Sequence, residues 1–217
     1  MSNGAGEASN VKNWTTAEFL AKAASSSPTP GGGSVSAYVG ALAASMVCMA
    51  ANLTLGKEKY REVEPQVREI LSQAEIALDL CQQSVSVDME EFAGLMEAYR
   101  LPRNTEEEKS LRQQRIQAAL VSATNAPLAV SQNCLKILQL ARTLAPVSNE
   151  NAISDVGVAA YLAESALKSA LLNVDINLPQ ISNKSYRLRV RIERNRLLSE
   201  GEALCAEVAA VVQERIS

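Results

Sequence analysis

One long apolar series, between residues 67 and 99, constrains the fold of this chain more than any other feature of its sequence. Its apolar residues follow one another in steps of four and three, which is the spacing of a single inward-facing seam on an α-helix. The series consists of Val67, Leu71, Ala74, Leu78, Cys81, Val85, Phe92, Leu95 and Tyr99. The position between Val85 and Phe92 is not apolar, because Asp88 stands there. The pattern predicts a helix from about Glu64 to Tyr99 with a carboxyl group on its buried face.

The rest of the chain also predicts helices, and no segment has the alternation of a strand. Thr15 or Thr16 can cap a short first helix, and Thr105 begins a capping box with Glu108. Pro127 is expected to kink the fourth helix near Asn125. The other predicted helices are 17–24, 34–54, 105–144, 154–173 with Ser154 as its cap, and a last amphipathic helix after Pro179. We therefore expect an all-α, single-domain bundle of about six helices over residues 13–217, after a disordered tail at 1–12.

Composition narrows the possible partners and location. Hydrophobic residues make up 47% of the 217 residues, aromatic residues only 4%, and the net charge is −3 with acids and bases interspersed. Nothing indicates a nucleic-acid surface. Faces lined with alanine predict close helix packing, within a subunit or in a homodimer or larger assembly. The uncharged stretch 31–56 is long enough to span a membrane, but its small residues favour a buried central helix of a cytoplasmic protein.

The chain has no histidine, and its four cysteines are scattered without a Cys-x-x-Cys pair. A zinc site would therefore need carboxylates alone, which is improbable for that metal. Triads and general bases built on histidine are excluded. The cysteines fall in apolar helical stretches, which indicates buried, reduced thiols in a cytosolic protein. We expect no metal site.

A run of three glycines, Gly31-Gly32-Gly33, stands directly before the second helix and is preceded by Pro30 and followed by Ser34. Free N–H groups at a helix start attract anions and polar ligand edges. The run is neither a Walker A loop nor a dinucleotide fingerprint, because no Gly-Lys-Ser/Thr and no preceding strand accompany it. On physical grounds a ligand-binding loop and a plain helix-start turn are equally good interpretations.

Four further residue sets are candidates, each with a structural alternative. Asp88 is either an acid/base group with a pKa raised by burial or a structural carboxyl satisfied by nearby donors. Asp155 is more simply a first-turn acid that favours the helix dipole. Lys57 belongs to an exposed basic cluster that could meet an anionic substrate. Asn173 and Asn177 extend an alanine face and are either buried cross-links or groups that bind the polar edge of a ligand.

Four stretches together resemble the cyclodeaminase domain of formiminotransferase-cyclodeaminase and its free-standing relatives, the methenyltetrahydrofolate cyclohydrolases. They are SPTPGGGSVSAYVGAL at 27–42, NLTLGKEKY at 52–60, VDMEEFAGLMEAYRLPRNTEEEK at 87–109 with NAPL at 125–128, and NAISDVGVAAYLAESALKSALLNVDINL at 151–178. They span most of the chain in the order of the family. The resemblance implies an all-helical fold, association of subunits, a tetrahydrofolate substrate, and no metal or other cofactor.

The resemblance also implies a reaction and roles for the candidate residues. The favoured reaction is hydrolysis of 5,10-methenyltetrahydrofolate to 10-formyltetrahydrofolate. The alternatives are the cyclodeaminase reaction, which releases ammonia from 5-formiminotetrahydrofolate, and a non-catalytic folate-binding or scaffold subunit. Asp88 would be the general acid/base, Asp155 a second proton carrier or cation stabiliser, and Lys57 a partner of a folate carboxylate or of an aspartate. The expected substrate-binding residues are Pro30, Gly31, Gly32, Gly33, Ser34, Asn173 and Asn177.

Overall fold

Six α-helices account for most of the computed structural model, which describes residues 11–217. The helices are α1 (Thr16–Ala23), α2 (Gly32–Thr54), α3 (Glu64–Arg100), α4 (Glu106–Leu144), α5 (Ile153–Asn177) and α6 (Lys184–Ile216). Short 3-10 turns at Val11–Asn13, Glu58–Val63, Glu150–Ala152 and Leu178–Gln180 join or precede them. No strand occurs in this part of the chain, so the predicted all-α bundle of about six helices is confirmed. Of the predicted tail at 1–12, residues 1–10 lie outside the described residues, and the last two belong to the first 3-10 turn.

The five long helices run up and down alternately. Ser34, at the start of α2, bonds to Asp88 late in α3, and Arg112, early in α4, bonds to the carbonyl of Tyr99. Asn177, which ends α5, bonds to the carbonyl of Ala123 in α4. One end of the bundle therefore collects the start of α2, the end of α3 and the end of α5. The other end collects the end of α2 and the start of α5.

Helix α2 is the central helix of the bundle and packs against α3, α4 and α5. It is long and apolar enough to cross a membrane by length and composition, but more than half of its most apolar stretch is buried inside the bundle. The alanines that the sequence singled out on α2 and α5 are each at most 8% exposed: Ala37, Ala41, Ala44, Ala159, Ala163, Ala166 and Ala170. The alanine faces thus join helices within one subunit. This packing matches the prediction of a buried core helix.

Most predicted helix ends are confirmed, and two are wrong at α5. The predicted capping box at Thr105–Glu108 is formed, and Thr15, one of the two predicted caps of α1, forms a capping box with Glu18. Helix α5 starts at Ile153, inside a turn that Asn149 caps, so Ser154 lies in the first turn and is not the cap. It also continues one turn beyond the predicted end at Asn173. Helix α4 runs unbroken through Pro127, and a bend there stays a prediction.

The four cysteines are free thiols, and three of them are buried as predicted, whereas Cys48 is only half-buried. Cys81 on α3 and Cys134 on α4 are fully buried and adjoin one another beside Gly40 of α2. The amide of Asn133 donates a hydrogen bond to Cys81 Sγ at 3.0 Å and another to the carbonyl of Ala77 at 2.8 Å. Three helices therefore meet at this point through small or polarisable groups, which permits their close approach.

Candidate active site

A pocket of about 380 Å³ opens at the end of the bundle where α2 begins and where α3 and α5 end. Its lining comes from four helices and two turns that are distant in sequence. The lining residues are Pro28, Thr29, Gly31, Gly32, Gly33, Asp88, Glu91, Phe92, Leu95, Met96, Tyr99, Ala123, Asn173, Ile176, Asn177 and Gln180. The lining combines apolar side chains with amides, backbone and carboxyl groups. This is the character of a small-molecule site that orients its ligand through a few polar groups.

Asp88 lies in the wall of this pocket, on the face of α3 that the apolar series predicted. Its carboxyl is partly buried, and the Ser34 hydroxyl donates a hydrogen bond to Oδ2 at 2.7 Å. Burial raises the pKa of Asp88 above its ordinary value, although the Ser34 hydroxyl and backbone N–H act in the opposite direction. A carboxyl with a raised pKa is suited to move protons near neutral pH. The structure thus supports the acid/base interpretation of Asp88 and also shows the donors that satisfy it.

The glycines make room for protein side chains at the start of α2. Gly31 is the N-cap residue and has no side chain with which to cap the helix. A Cβ on Gly33 would lie 2.0 Å from Asp88 Oδ1, which is impossible without moving the carboxyl. A Cβ on Gly32 would lie 3.4 Å from the Asn173 amide nitrogen, a tight contact. The glycine run therefore serves first to seat Asp88 and Asn173 against the helix, and its backbone also lines the pocket.

The two predicted asparagines both line the pocket, one turn apart at the end of α5. Asn173 donates a hydrogen bond to the carbonyl of Ser169 at 3.0 Å, and Asn177 donates one to the carbonyl of Ala123 on α4 at 3.0 Å. Each bond holds its amide plane in a fixed orientation. Asn177 is thus both a cross-link between helices and a polar group of the pocket, so the two interpretations drawn from sequence do not exclude one another.

Several lining residues were not predicted as site residues. Glu91, Phe92, Leu95 and Tyr99 share the face of Asp88, at three, four, seven and eleven residues beyond it. The helical spacing could have indicated them, but the apolar members were assigned to the core instead. Tyr99 is partly exposed, and its hydroxyl donates to Gln180 Oε1 at 3.1 Å. Gln180 itself lies in a turn after α5, and no sequence pattern indicated it.

Asp155 and Lys57 do not lie in this pocket. Asp155 is in the first turn of α5, and at ~1.5 Å of rise per residue it stands roughly 33 Å from Asn177 along the helix. Lys57 is exposed and follows the end of α2, again roughly 33 Å from the glycines at its start. A single chain therefore does not bring these two residues beside Asp88, and their part in the reaction stays a prediction. The position of Asp155 and Lys57 in the sequence did not indicate at which end of the bundle each residue lies.

Within residues 11–217, no group of three or more His, Cys, Asp and Glu side chains is placed to hold a metal ion. Glu91 lines the same pocket as Asp88, but these two carboxyls do not make up such a group. The prediction that the site works without a metal remains a prediction.

The fold and the pocket define an all-helical protein with a carboxyl-based site at one end of an up-and-down bundle. Comparison with known proteins gives the family. The model of the formiminotransferase-cyclodeaminase family matches residues 15–196, and this chain belongs to that family. The match covers the start of α2, Asp88 and both asparagines, so every element of the pocket lies inside it.

Individual relatives agree with this assignment. A methenyltetrahydrofolate cyclohydrolase from Methylorubrum extorquens is 40% identical, over 94% of this chain and 99% of the relative. The formimidoyltransferase-cyclodeaminase of Gallus gallus is 29% identical over 91% of this chain, which spans only 36% of that longer protein. The crystal structure of a formiminotetrahydrofolate cyclodeaminase from Thermotoga maritima superposes with a TM-score of 0.86 at 30% identity, covering 95% of this chain and all of that one.

Proposed function

We propose that this protein is an enzyme that hydrolyses 5,10-methenyltetrahydrofolate to 10-formyltetrahydrofolate. The observation that carries the proposal is the Asp88 carboxyl, which has a raised pKa and lies in the wall of a pocket of suitable size. The 40% identical cyclohydrolase, which matches this chain over nearly the full length of both, supports this choice of reaction.

In the proposed reaction Asp88 moves one proton in each direction. The Asp88 carboxylate takes a proton from water as the water oxygen bonds to the cationic methenyl carbon, which gives a neutral tetrahedral carbon. The protonated carboxyl then gives a proton to N5 as the bond from that carbon to N5 breaks. The hydroxyl loses its proton to solvent and becomes the formyl oxygen on N10. Overall, one water is consumed and one proton is released.

The shape of the pocket suits a pterin-bearing substrate. Its volume of about 380 Å³ is in the lower part of the ~300–1,000 Å³ range of small-molecule pockets. Phe92 and Met96 offer an apolar surface for a flat ring, and the amides of Asn177 and Gln180 offer polar groups for its edge. We assign the pterin and the one-carbon bridge to the pocket and the glutamate end of the substrate to its mouth.

The cyclodeaminase reaction is the second candidate, because the Thermotoga maritima cyclodeaminase has the same fold over 95% of this chain. There Asp88 would protonate the nitrogen that leaves as ammonia. A scaffold without activity is the third, and a formed pocket around a protonatable carboxyl speaks against it.

The methenyl chromophore separates these candidates in one assay. A cyclohydrolase consumes this absorbance when given 5,10-methenyltetrahydrofolate, whereas a cyclodeaminase produces it from 5-formiminotetrahydrofolate. We expect consumption by the purified chain, faster than the uncatalysed reaction and proportional to enzyme concentration. Production from the formimino substrate alone would select the second candidate, and no change with either substrate would select the scaffold.

We also propose a cytoplasmic homodimer that forms through the outer face of α2. This face carries no charged side chain, because residues 31–56 contain none, and it exposes large apolar groups. They are Val35, Leu42, Met49 and Leu53, each 39–45% exposed. A sedimentation measurement on the wild type and on Leu42→Asp tests this: we expect a dimer and a monomer respectively.

Pairing through α2 in antiparallel orientation would bring the end of the bundle with Lys57 and Asp155 near the pocket of the second subunit. These residues keep a role in the reaction only in that arrangement. Mixing inactive Asp88→Asn and Asp155→Asn subunits then restores some activity, because half of the sites in a mixed dimer have both aspartates. An active Asp155→Asn enzyme would remove this residue from the reaction.

A further inference from the structure

The carboxyl of Asp88 caps helix α2 from outside the helix. The first turn of α2 begins after Gly31, and Ser34 is the third residue inside it. The N–H groups of such a turn have no partner within the helix and favour a negative group. Asp88 comes from α3 and places its carboxyl at this turn, where the Ser34 hydroxyl donates to Oδ2 and the Ser34 backbone N–H also lowers the pKa of the carboxyl. The start of α2 is therefore already occupied by the protein's own carboxylate.

Ser34 has no exposed surface, whereas Asp88 reaches the pocket. The Ser34 hydroxyl is 2.7 Å from Asp88 Oδ2, the distance of a strong hydrogen bond to a carboxylate. The other oxygen, Oδ1, lies against the Cα of Gly33, where any side chain would displace it. Ser34 thus holds Oδ2. The absence of a side chain on Gly33 leaves the space that Oδ1 occupies in this orientation of the carboxyl.

We propose that Ser34 is a positioning residue, which acts through Asp88 and does not touch the substrate. By donating to Oδ2 in both protonation states, it leaves Oδ1 as the oxygen that accepts and returns the proton. This inference rests on the proposed function and changes the role that the sequence suggested for Ser34, which was contact with the substrate.

Few other groups can influence the titration of Asp88. The pocket-lining residues with titratable side chains, besides Asp88, are Glu91 and Tyr99, both on α3. Helix α2 has no charged residue, and α5 and α4 present Asn173, Asn177 and Ala123 to the pocket. Loss of the Ser34 hydroxyl therefore raises the pKa of Asp88 with little compensation from a nearby charge.

The test is the pH profile of kcat/KM for Ser34→Ala. Because the carboxylate is the form that activates water, the rate rises with pH as Asp88 loses its proton. We expect this limb to move to higher pH by about one unit in the variant. We expect kcat at lower pH to fall about tenfold, as one unit of pKa implies, with KM nearly unchanged. Ser34→Thr retains a hydroxyl, so its kcat/KM should depend on pH as that of the wild type does.

Ser36→Ala is the matched control. Ser36 lies in the same helix and is 2% exposed, but its hydroxyl donates to the carbonyl of Gly32 at 2.7 Å. Loss of a buried serine hydroxyl as such would affect both variants alike, whereas the proposal moves the pH limb only in Ser34→Ala. Equal profiles for the two variants, or a rise in KM without a shifted limb in Ser34→Ala, would overturn it.

A second measurement separates this inference from the choice of reaction. Carbon-13 NMR of the aspartate carboxyls, with Asp88→Asn used for assignment, follows the Asp88 titration without any substrate. We expect the Asp88 midpoint to rise in Ser34→Ala and to stay in place in Ser36→Ala. An unchanged midpoint in both refutes the inference even if the enzyme proves to be a cyclohydrolase. A shifted midpoint in a protein without folate activity refutes the function alone.

Discussion

Gly33 and Asp88 fit together so closely that a single methyl group on Gly33 would lie 2.0 Å from Asp88 Oδ1. The two residues are 55 positions apart in the sequence and belong to different helices. Their contact ties the start of α2 to the acid/base group of the pocket.

Replacing Asp88 by asparagine should abolish most activity without unfolding the protein. The amide can still accept the Ser34 hydrogen bond but cannot take a proton from water, and positioned acid/base groups typically contribute about 10²–10⁴-fold to rate. Asp79→Asn is the control, since Asp79 is exposed on the same helix. Turnover and circular dichroism should be measured for both. A folded Asp88→Asn enzyme with wild-type turnover would remove Asp88 from the mechanism.

Asp88 should also make the stability of the protein depend on pH. Burial raises its pKa in the folded state, so the folded chain holds this proton to higher pH than the unfolded chain does. The stabilisation that the folded state gains from this proton is fully present below the ordinary aspartate pKa. It is lost as the pH rises through the raised pKa of Asp88. The Asp88→Asn variant has no such proton to lose. The Tm of the variant minus that of the wild type should therefore increase from about pH 4 upwards. A constant difference would contradict the pKa shift.

Two glycine-to-alanine changes should have opposite effects on stability. A Cβ on Gly40 would lie 2.9 Å from Cys81 Sγ and 3.1 Å from Cys134 Sγ, both in the closed core. Overpacking of this kind costs about 1–3 kcal/mol. Gly94 has open space around its Cα, so alanine there should add about 0.5–1 kcal/mol through helix propensity. Urea unfolding measures both, and Cys81→Ala should partly relieve Gly40→Ala.

Tyr99→Phe should weaken substrate binding more than it slows turnover. The change removes the hydroxyl that holds Gln180 at 3.1 Å and leaves the ring in place. A hydrogen bond of ~0.5–1.5 kcal/mol corresponds to a roughly 2–10-fold rise in KM. Tyr161→Phe, an exposed change on α5, serves as the comparison. An unaltered KM would show that Gln180 has no part in binding.

Treatment with a chelator should leave activity unchanged. The reaction is assigned to a carboxyl, and the described part of the chain offers no group of metal-binding side chains around it. The enzyme should be dialysed against EDTA and assayed with and without added zinc or magnesium. Loss of activity that one of these metals restores would contradict the proposed chemistry.

Much of the architecture could be predicted from the sequence, because it depends on local signals. The series from Val67 to Tyr99 identified α3 and the phase of Asp88, while a capping threonine and a capping box indicated the starts of α1 and α4 respectively. The alanine faces predicted close packing, although not that it lies within a single subunit. Periodicity succeeded wherever one helix face is buried along its whole length.

The composition of the pocket could be predicted only in part, because it depends on contacts between helices. Position within a motif grouped Asp155 and Lys57 with Asp88, yet they lie at the opposite end of the bundle. The need for glycine at position 33 arises from the approach of a carboxyl on another helix, which no local pattern contains. Glu91 shares the helical spacing of Asp88 and could have been indicated by it, whereas Gln180 lies in a turn that no periodic pattern covers.

The walls of the pocket come from early, middle and late parts of the chain, the last being Gln180. A ribosome makes ~5–20 residues per second, so on the order of ten seconds pass between Gly33 and Gln180. During that time the nascent chain carries its glycine run and its aspartate with no cavity to enclose them. The pocket of the newly made protein therefore forms late, when the end of α5 packs against the other helices. Chains that end before this point should have no activity towards folates.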